Sequence, residues 1–491
     1  MLRRACGFLA LLGAPLAAQQ PAVSIRHNAP GPPGAVLDSV LAAPYVVRHE
    51  AWNTRLFRDS VFDRTVVVIG TDATVASTVH GNMVVVNGNL FLQTGATIDG
   101  RAIAIGGGVY DVGTPLVRGG RTSFRTTRYH ITREGDTIIL DYRAPSRETP
   151  SFLSLPGLDG VRMPGYTRVD GLALPWGPHV ALAGGRLTIE PTVTYRSDLG
   201  AVDPALDGAV QLQDGWSVHV FAARTTLTND SWISPGVGNS ITVLVAGRDY
   251  RDYWRGDRVE GQVARQWERD ARTLSLSVGA RTERDWTIRA GGPWSIWGQQ
   301  SANGMRRFNP PVLPGRLTSA VAAGRAELDV GDVSIAARLD LEQSLSTPNG
   351  ERFTQATVNG RVAFPTFGTQ RFEFRMHLLL TAGDSAPPQR RGGLGGAGTL
   401  PTFGVLAMRG DELAYLESAY EVPVPALTLP IVGVPVLSFR DALGAAGVGH
   451  IPTIEQNLIA RVALSWLRLD YAFDPATRRD AFAVGFALPA R

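Results

Sequence analysis

Eight histidines offer the most versatile chemistry in the chain, and their spacing does not assemble it. His27, His49, His80, His130, His179, His219, His377 and His450 are scattered, with no pair at the spacing by which one helix or strand presents two metal ligands. The sequence holds no GxSxG nucleophile turn, no CxxC and no HExxH. GGLGGAG at 392–398 has the glycine content of a phosphate-cradling loop. It lacks the Lys-Ser/Thr that must follow, and the flanking strand and helix. Asp and Glu are spread along the chain, without a pair that spacing alone converges for general acid–base work. These absences predict no catalytic, metal-binding or cofactor-binding residue, no cofactor and no enzymatic activity.

The composition points instead to many strands joined by turns. The 491 residues include 55 Gly and 32 Pro, and only 19% are charged. The start, MLRRACGFLALLGAPLAAQQ, reads as a secretory signal over residues 1–18: Arg3 and Arg4, a short apolar core, then small residues at a cleavage site. Cys6, the single cysteine, falls inside it, so the exported chain has no disulfide or thiol chemistry. Beyond the signal there is no run of ~20 apolar residues to make a transmembrane helix. The formal charge of +4 is mild and its arginines are dispersed, which excludes a nucleic-acid partner.

The chain divides into five parts. Residues 19–64 are mixed linker. Residues 65–145 carry short β-branched runs cut by Gly or Asn-Gly: Val66–Val68, Met83–Val86, Leu90–Leu92 and Ile103–Ile105. That rhythm suits rungs of a short parallel β-helix, each turn stacked on the next. A Pro- and Gly-rich linker covers 146–164. From 165 to 491 alternation is nearly unbroken. In RFEFRMHLLL, Phe372, Phe374 and Met376 face one way while Arg371, Glu373, Arg375 and His377 face the other. About 16 such strands in one run predict an all-β fold: a transmembrane antiparallel β-barrel, apolar toward lipid and polar within. Trp and Tyr near many strand ends suit its interfacial girdles.

Two stretches carry a family resemblance. One is the expected first barrel strand, Tyr166-Thr167-Arg168-Val169-Asp170-Gly171-Leu172. The other is the loop GGLGGAGTLPTFGVLAMRGDELAYLESAYEVP, in which Gly395, Gly398, Thr399, Leu400, Phe403, Gly410 and Asp411 match. With a softer match at Asp249–Gly261, the region from Tyr166 to Arg491 resembles the bacterial surface-antigen family of the outer-membrane assembly-factor superfamily, the BamA-like barrels. Residues 65–120 weakly resemble bactofilin-like polymer-forming repeats. The departures are specific. Pro401 and Thr402 stand where the family has Arg and Gly, and Pro401 cannot make the ion pair by which that Arg pins the loop. Arg409 is the candidate substitute.

The resemblance implies an outer-membrane location, with the N-terminal region in the periplasm. It implies outer-membrane lipid and other envelope or outer-membrane proteins as partners. The function implied is insertion or translocation of envelope proteins through a gated barrel. A passive channel or transporter for small solutes, and a structural envelope anchor, are the alternatives. The candidate loop motif is Gly395, Gly398, Thr399, Leu400, Pro401, Phe403, Arg409, Gly410 and Asp411. The first-strand candidates are Tyr166, Arg168, Asp170 and Gly171.

Overall fold

A strand whose successive residues are all apolar must be covered on both faces. Thr65–Ile69, Met83–Val86 and Ala102–Ile105 are such strands. In a computed structural model of the protein they stack in parallel, Val66 beside Met83 and Met83 beside Ala102. The structure describes residues 22–48, 54–57, 60–112, 115–143, 152–269, 272–289, 291–297, 305–330, 333–367, 370–424, 427, 434–464 and 467–486. The expected signal segment, with Cys6, lies outside the described residues.

Tyr45–Arg48 and Arg121–Phe124 extend that stack to five strands, and two further parallel sheets of four strands each complete a three-sided β-solenoid. Strands of the five-stranded side begin at residues 45, 65, 83, 102 and 121, giving four full turns and the start of a fifth. Of the four runs read as rungs, Val66–Val68, Met83–Val86 and Ile103–Ile105 are successive turns of this side. Leu90–Leu92 belongs to another side, within Leu90–Gln93. The first turn lies inside the stretch read as linker. The interior is filled by Val66, Val68, Met83, Val85, Leu90 and Ile98 among others. On the outer face of the five-stranded side, Val67, Val84 and Ile103 are covered by helix α1 (Pro32–Ala42) and by a small sheet. That sheet pairs Ala22–His27 in parallel with Thr137–Tyr142, which forms a hairpin with Tyr129–Glu134.

The second module is one antiparallel sheet of 18 strands, from Leu153–Ser154 to Asp480–Phe486; from Leu187–Arg196 onward each pairs with its sequence neighbour in the sheet, while Leu153–Ser154 pairs with His179–Leu182 and Gly171–Trp176 with Leu187–Arg196. Register sets one row of side chains across its apolar face: Leu187, Val210, Val218, Val263, Val278, Ala322, Leu341, Ala356 and Leu380. The opposite face is polar. The segment 384–411 crosses it and touches both Glu342 and Asn457, so the sheet curls around that segment.

The expectation of a transmembrane barrel of about 16 strands is corrected here. The repeat architecture is a β-solenoid of four turns, and the antiparallel sheet has 18 strands. Among the described residues no hydrogen-bonded ladder joins its first strands to its last. Ring closure needs those edges to pair backbone to backbone. Helix α2 (Gly236–Ala246) contacts both Gly165–Thr167 and Asp480–Phe486 instead, and Ser240 Oγ takes the Tyr166 amide at 2.9 Å. The expected outer-membrane location, with a periplasmic N-terminal region, rested on a closed ring and falls with it. Among the described residues no helix is long and apolar enough to cross a membrane.

Candidate functional site

The segment 384–411 leaves the sheet after Arg371–Gly383 and rejoins it at Glu412–Pro423. Its two arms, Gly392–Leu394 and Met408–Gly410, pair antiparallel. Asp411 fixes the base: its buried carboxylate accepts from the amides of Ala386 (2.9 Å) and Gly449 (2.8 Å). Gly410 packs directly on the backbone of Gly447.

The glycines serve close approach rather than phosphate. Gly395 has φ +120°, a left-handed conformation that disfavours a side chain. A Cβ on Gly398 would fall 2.3 Å from Ile233 Cγ2. Thr399 Oγ1 accepts from the Gly395 amide at 2.9 Å and holds the tip. Leu400 is fully buried among Leu379, Leu394, Leu413, Tyr415 and Ile459, with Phe403 against the same cluster. Pro401 is half-buried, and its neighbour Thr402 donates to Asn457 Oδ1 from both amide and hydroxyl at 3.0 Å.

Two arginines tie the segment down electrostatically. Arg390 is buried and reaches two carboxylates on the strand wall, Glu342 (2.8 and 3.0 Å) and Glu283. Such charge-assisted, multidentate pairs fix position strongly. Arg409, the candidate substitute, donates to Asp252 Oδ2 at 2.8 Å and remains partly exposed. Sequence reasoning missed Arg390. Its only signal was Gln389-Arg390-Arg391 ahead of the glycine run, and nothing local announces carboxylates from distant strands.

The first-strand candidates meet this segment at Asp252. Arg168 is wholly buried and donates to Asp252 Oδ1 (3.2 Å), the Arg251 carbonyl (3.2 Å), the Arg307 carbonyl and Asn309 Oδ1. Its amide donates to Asp249 Oδ2 at 3.0 Å. Arg307 pairs with the same Asp252. Asp252 thus joins Arg168, Arg307 and Arg409, and it lies in the stretch that gave the softer family match. Tyr166 donates its hydroxyl to the Trp294 carbonyl at 2.5 Å. Asp170, also buried, accepts from Arg196 (2.5 Å) and Thr226 (2.7 Å), and Arg196 passes the contact on to Asp203, which Arg255 grips with two 2.6 Å bonds. Gly171 takes φ +63° at the turn between these groups.

Beside the cluster a cavity of about 130 Å³ is lined by Asp230, Asp252, Trp254, Pro311, Arg391 and Arg409 among others. Burial first, and the neighbouring Asp252 carboxylate second, push the Asp230 carboxyl up to about 7. Its Oδ2 accepts from the Asp252 amide at 2.8 Å. Among the described residues no group of three or more His, Cys, Asp or Glu is placed to hold a metal ion. The arrangement is a set of positional locks.

No protein-family model matches the chain, and no curated protein matches it. Among solved structures it is similar to BamA from Haemophilus ducreyi lacking POTRA domains 1–3, at 11% identity and TM-score 0.43, covering 74% of this chain and 75% of that one. It is also similar to CdiB from Escherichia coli, at 10% identity and TM-score 0.39, covering 74% of this chain and 67% of that one. CdiB from Acinetobacter baumannii gives 11% identity and TM-score 0.36, over 74% of this chain and 64% of that one. At these TM-scores the similarity assigns neither fold nor activity. The surface-antigen resemblance is corrected on the fold: it implies a closed barrel, whereas the chain carries a β-solenoid followed by an antiparallel sheet whose first and last strands share no ladder among the described residues. The functions built on that ring, namely insertion or translocation through a gated barrel, a channel and a barrel-held anchor, are withdrawn with it.

Proposed function

We propose that this protein is a non-enzymatic lipid-binding protein whose antiparallel sheet meets acyl chains with its apolar face. The observation that carries this reading is the uncovered aliphatic surface. Val278 is 62% exposed and Phe482 65%, with Leu276, Leu341, Leu380 and Phe439 also exposed. Proteins that stay monomeric in water seldom leave contiguous apolar patches beyond a few hundred Å². Here the polarity is inverted, with charged side chains buried on one face and aliphatic ones open on the other. Trp216 and Trp267 flank Arg265, at 5.2 and 4.9 Å from its guanidinium carbon. Amphipathic aromatics beside a cation suit an apolar–aqueous boundary.

Flotation of the purified full chain with phosphatidylcholine vesicles tests this. The protein should rise with the vesicles, and Val278→Asp combined with Leu341→Asp should leave it in the dense fraction. A chain that stays monomeric in buffer without detergent and never floats overturns the reading. A second reading, contact with another protein, is favoured by Phe57 and Val61, which stand 70% and 61% exposed around the first turn of the solenoid. Chemical cross-linking through a photoreactive group at position 57 tests that surface separately.

A further inference from the structure

The polar face of the sheet holds a site that the pinned segment leaves open. Two rows of side chains cross five adjacent strands there. Register places Arg325, Arg338, Asn359, His377 and Tyr415 in one row, and Glu327, Ala336, Arg361, Arg375 and Glu417 in the next. Arg325 stands directly opposite Arg338, and Arg361 directly opposite Arg375. Like charges facing each other on neighbouring strands are destabilising. Each of these arginines has one carboxylate: Arg325 on Glu327 (2.6 Å), Arg338 on Asp340 (2.7 Å), Arg361 on Glu373 (2.8 Å) and Arg375 on Glu417 at a looser 3.5 Å.

Above the rows lies an open cavity of about 310 Å³ lined by all four arginines. Trp232 forms a wall, its ring stacked on His377 with centroids 3.9 Å apart. Ala336, between Glu327 and Arg361, keeps the floor low. Arg361 Nε and Trp232 Nε1 are buried without a hydrogen-bond partner. Both are donors on residues that line the cavity, and a buried donor without an acceptor is costly. Guanidinium forks match the planar oxygens of carboxylate and phosphate.

We propose that this cavity binds a small multivalent oxyanion of the phosphate or carboxylate class, held by Arg338, Arg361 and Arg375 against the Trp232 wall. The cavity opens on the face opposite the aliphatic row, so the ligand is a dissolved solute rather than a lipid headgroup. The proposal does not rest on the lipid reading.

Titration calorimetry of the full chain with inorganic pyrophosphate and, separately, with citrate tests it. Saturable one-site binding is expected with at least one probe. Arg338→Gln and Arg361→Gln should each weaken it roughly tenfold or more, the loss of one charged hydrogen-bonding partner. Ala336→Leu keeps every charge and fills the floor, so it should abolish binding while the circular dichroism spectrum is unchanged. It carries the test if an arginine variant fails to fold. Arg224→Gln, at an exposed pair with Asp257 elsewhere on the sheet, should leave binding as it was. No saturable heat with either probe overturns the site, as does binding that survives Ala336→Leu or that falls equally with Arg224→Gln. Displacement of bound pyrophosphate by phosphatidylglycerol vesicles overturns the assignment to a solute.

Discussion

The solenoid and the antiparallel sheet use the same strand-forming residues and turn them in opposite directions. Around Val66, Val85 and Ile98 the solenoid closes on an interior that, among the described residues, buries no charged side chain. In the sheet, Arg168, Asp170, Asp203, Glu283 and Arg390 are buried while Leu276, Val278 and Phe482 are exposed. Burying a charge costs several kcal/mol unless pairing and hydrogen bonds offset it. The solenoid therefore needs its volume filled, and the sheet needs its polar network complete. The same substitution should have opposite consequences in the two.

The largest expected effect is Val85→Asp, which puts an unpaired carboxylate into the solenoid interior. The loss should be on the order of 5 kcal/mol. Hydrogen exchange should show the amides of 65–105 losing protection. Val278→Asp, on the aliphatic face of the sheet, should leave exchange nearly unchanged and lower vesicle flotation. Equal unfolding by both substitutions would erase the contrast.

Next comes Arg390→Met, which leaves buried Glu283 with Arg258 alone and Glu342 with Ser319 and a looser Arg281 at 3.5 Å. Removing one partner of a buried ionic cluster costs roughly 3–5 kcal/mol. Limited proteolysis should then cut within 384–411, and adding Glu283→Gln and Glu342→Gln to Arg390→Met should restore resistance. A single Arg390→Met chain as resistant as the parent would show that Leu400 and Asp411 suffice to hold the segment.

A smaller effect is pH dependence at Asp230. Its carboxyl sits near 7 when folded, against about 3.9 in an unfolded chain. Between those values the folded chain keeps a proton that the unfolded chain has lost. This group's contribution to stability therefore falls as pH rises from about 4 to about 7, then levels off. Denaturant midpoints across that range should show the trend, and Asp230→Asn should flatten it. Smallest of all is Arg409→Gln. Its pair with Asp252 is partly open to solvent and Arg168 and Arg307 remain, so the change should stay below about 1 kcal/mol.

How much of this could be read from the residues depends on the distance over which each feature is decided. The runs TVVVI, MVVV and AIAI lack alternation because both faces of their strands are covered, and that is a local signature. So is the alternation of Arg371, Glu373 and Arg375 with Phe372 and Phe374. Closure is not local. It depends on whether Gly165–Thr167 meets Asp480–Phe486, and helix α2, which contacts both, is an interruption that no strand pattern announces. The candidate motif drew attention to Gly395–Phe403 and Arg409, whereas the deepest ionic lock is Arg390. Its partners Glu283 and Glu342 come from two strands far away in the chain. Likewise Arg168 and Arg409 were singled out for separate reasons, and only the folded chain brings both to Asp252.

The turn length of the solenoid carries a consequence for how this molecule can change. Each storey starts 18–20 residues after the one below and leans on its immediate neighbours. A tandem duplication of residues 83–101 would raise the column by one storey, about 4.8 Å, and leave the rest of the chain in its own register. Height in this part of the molecule is therefore adjustable in whole increments, limited mainly by how far α1 can still shelter the lengthened wall.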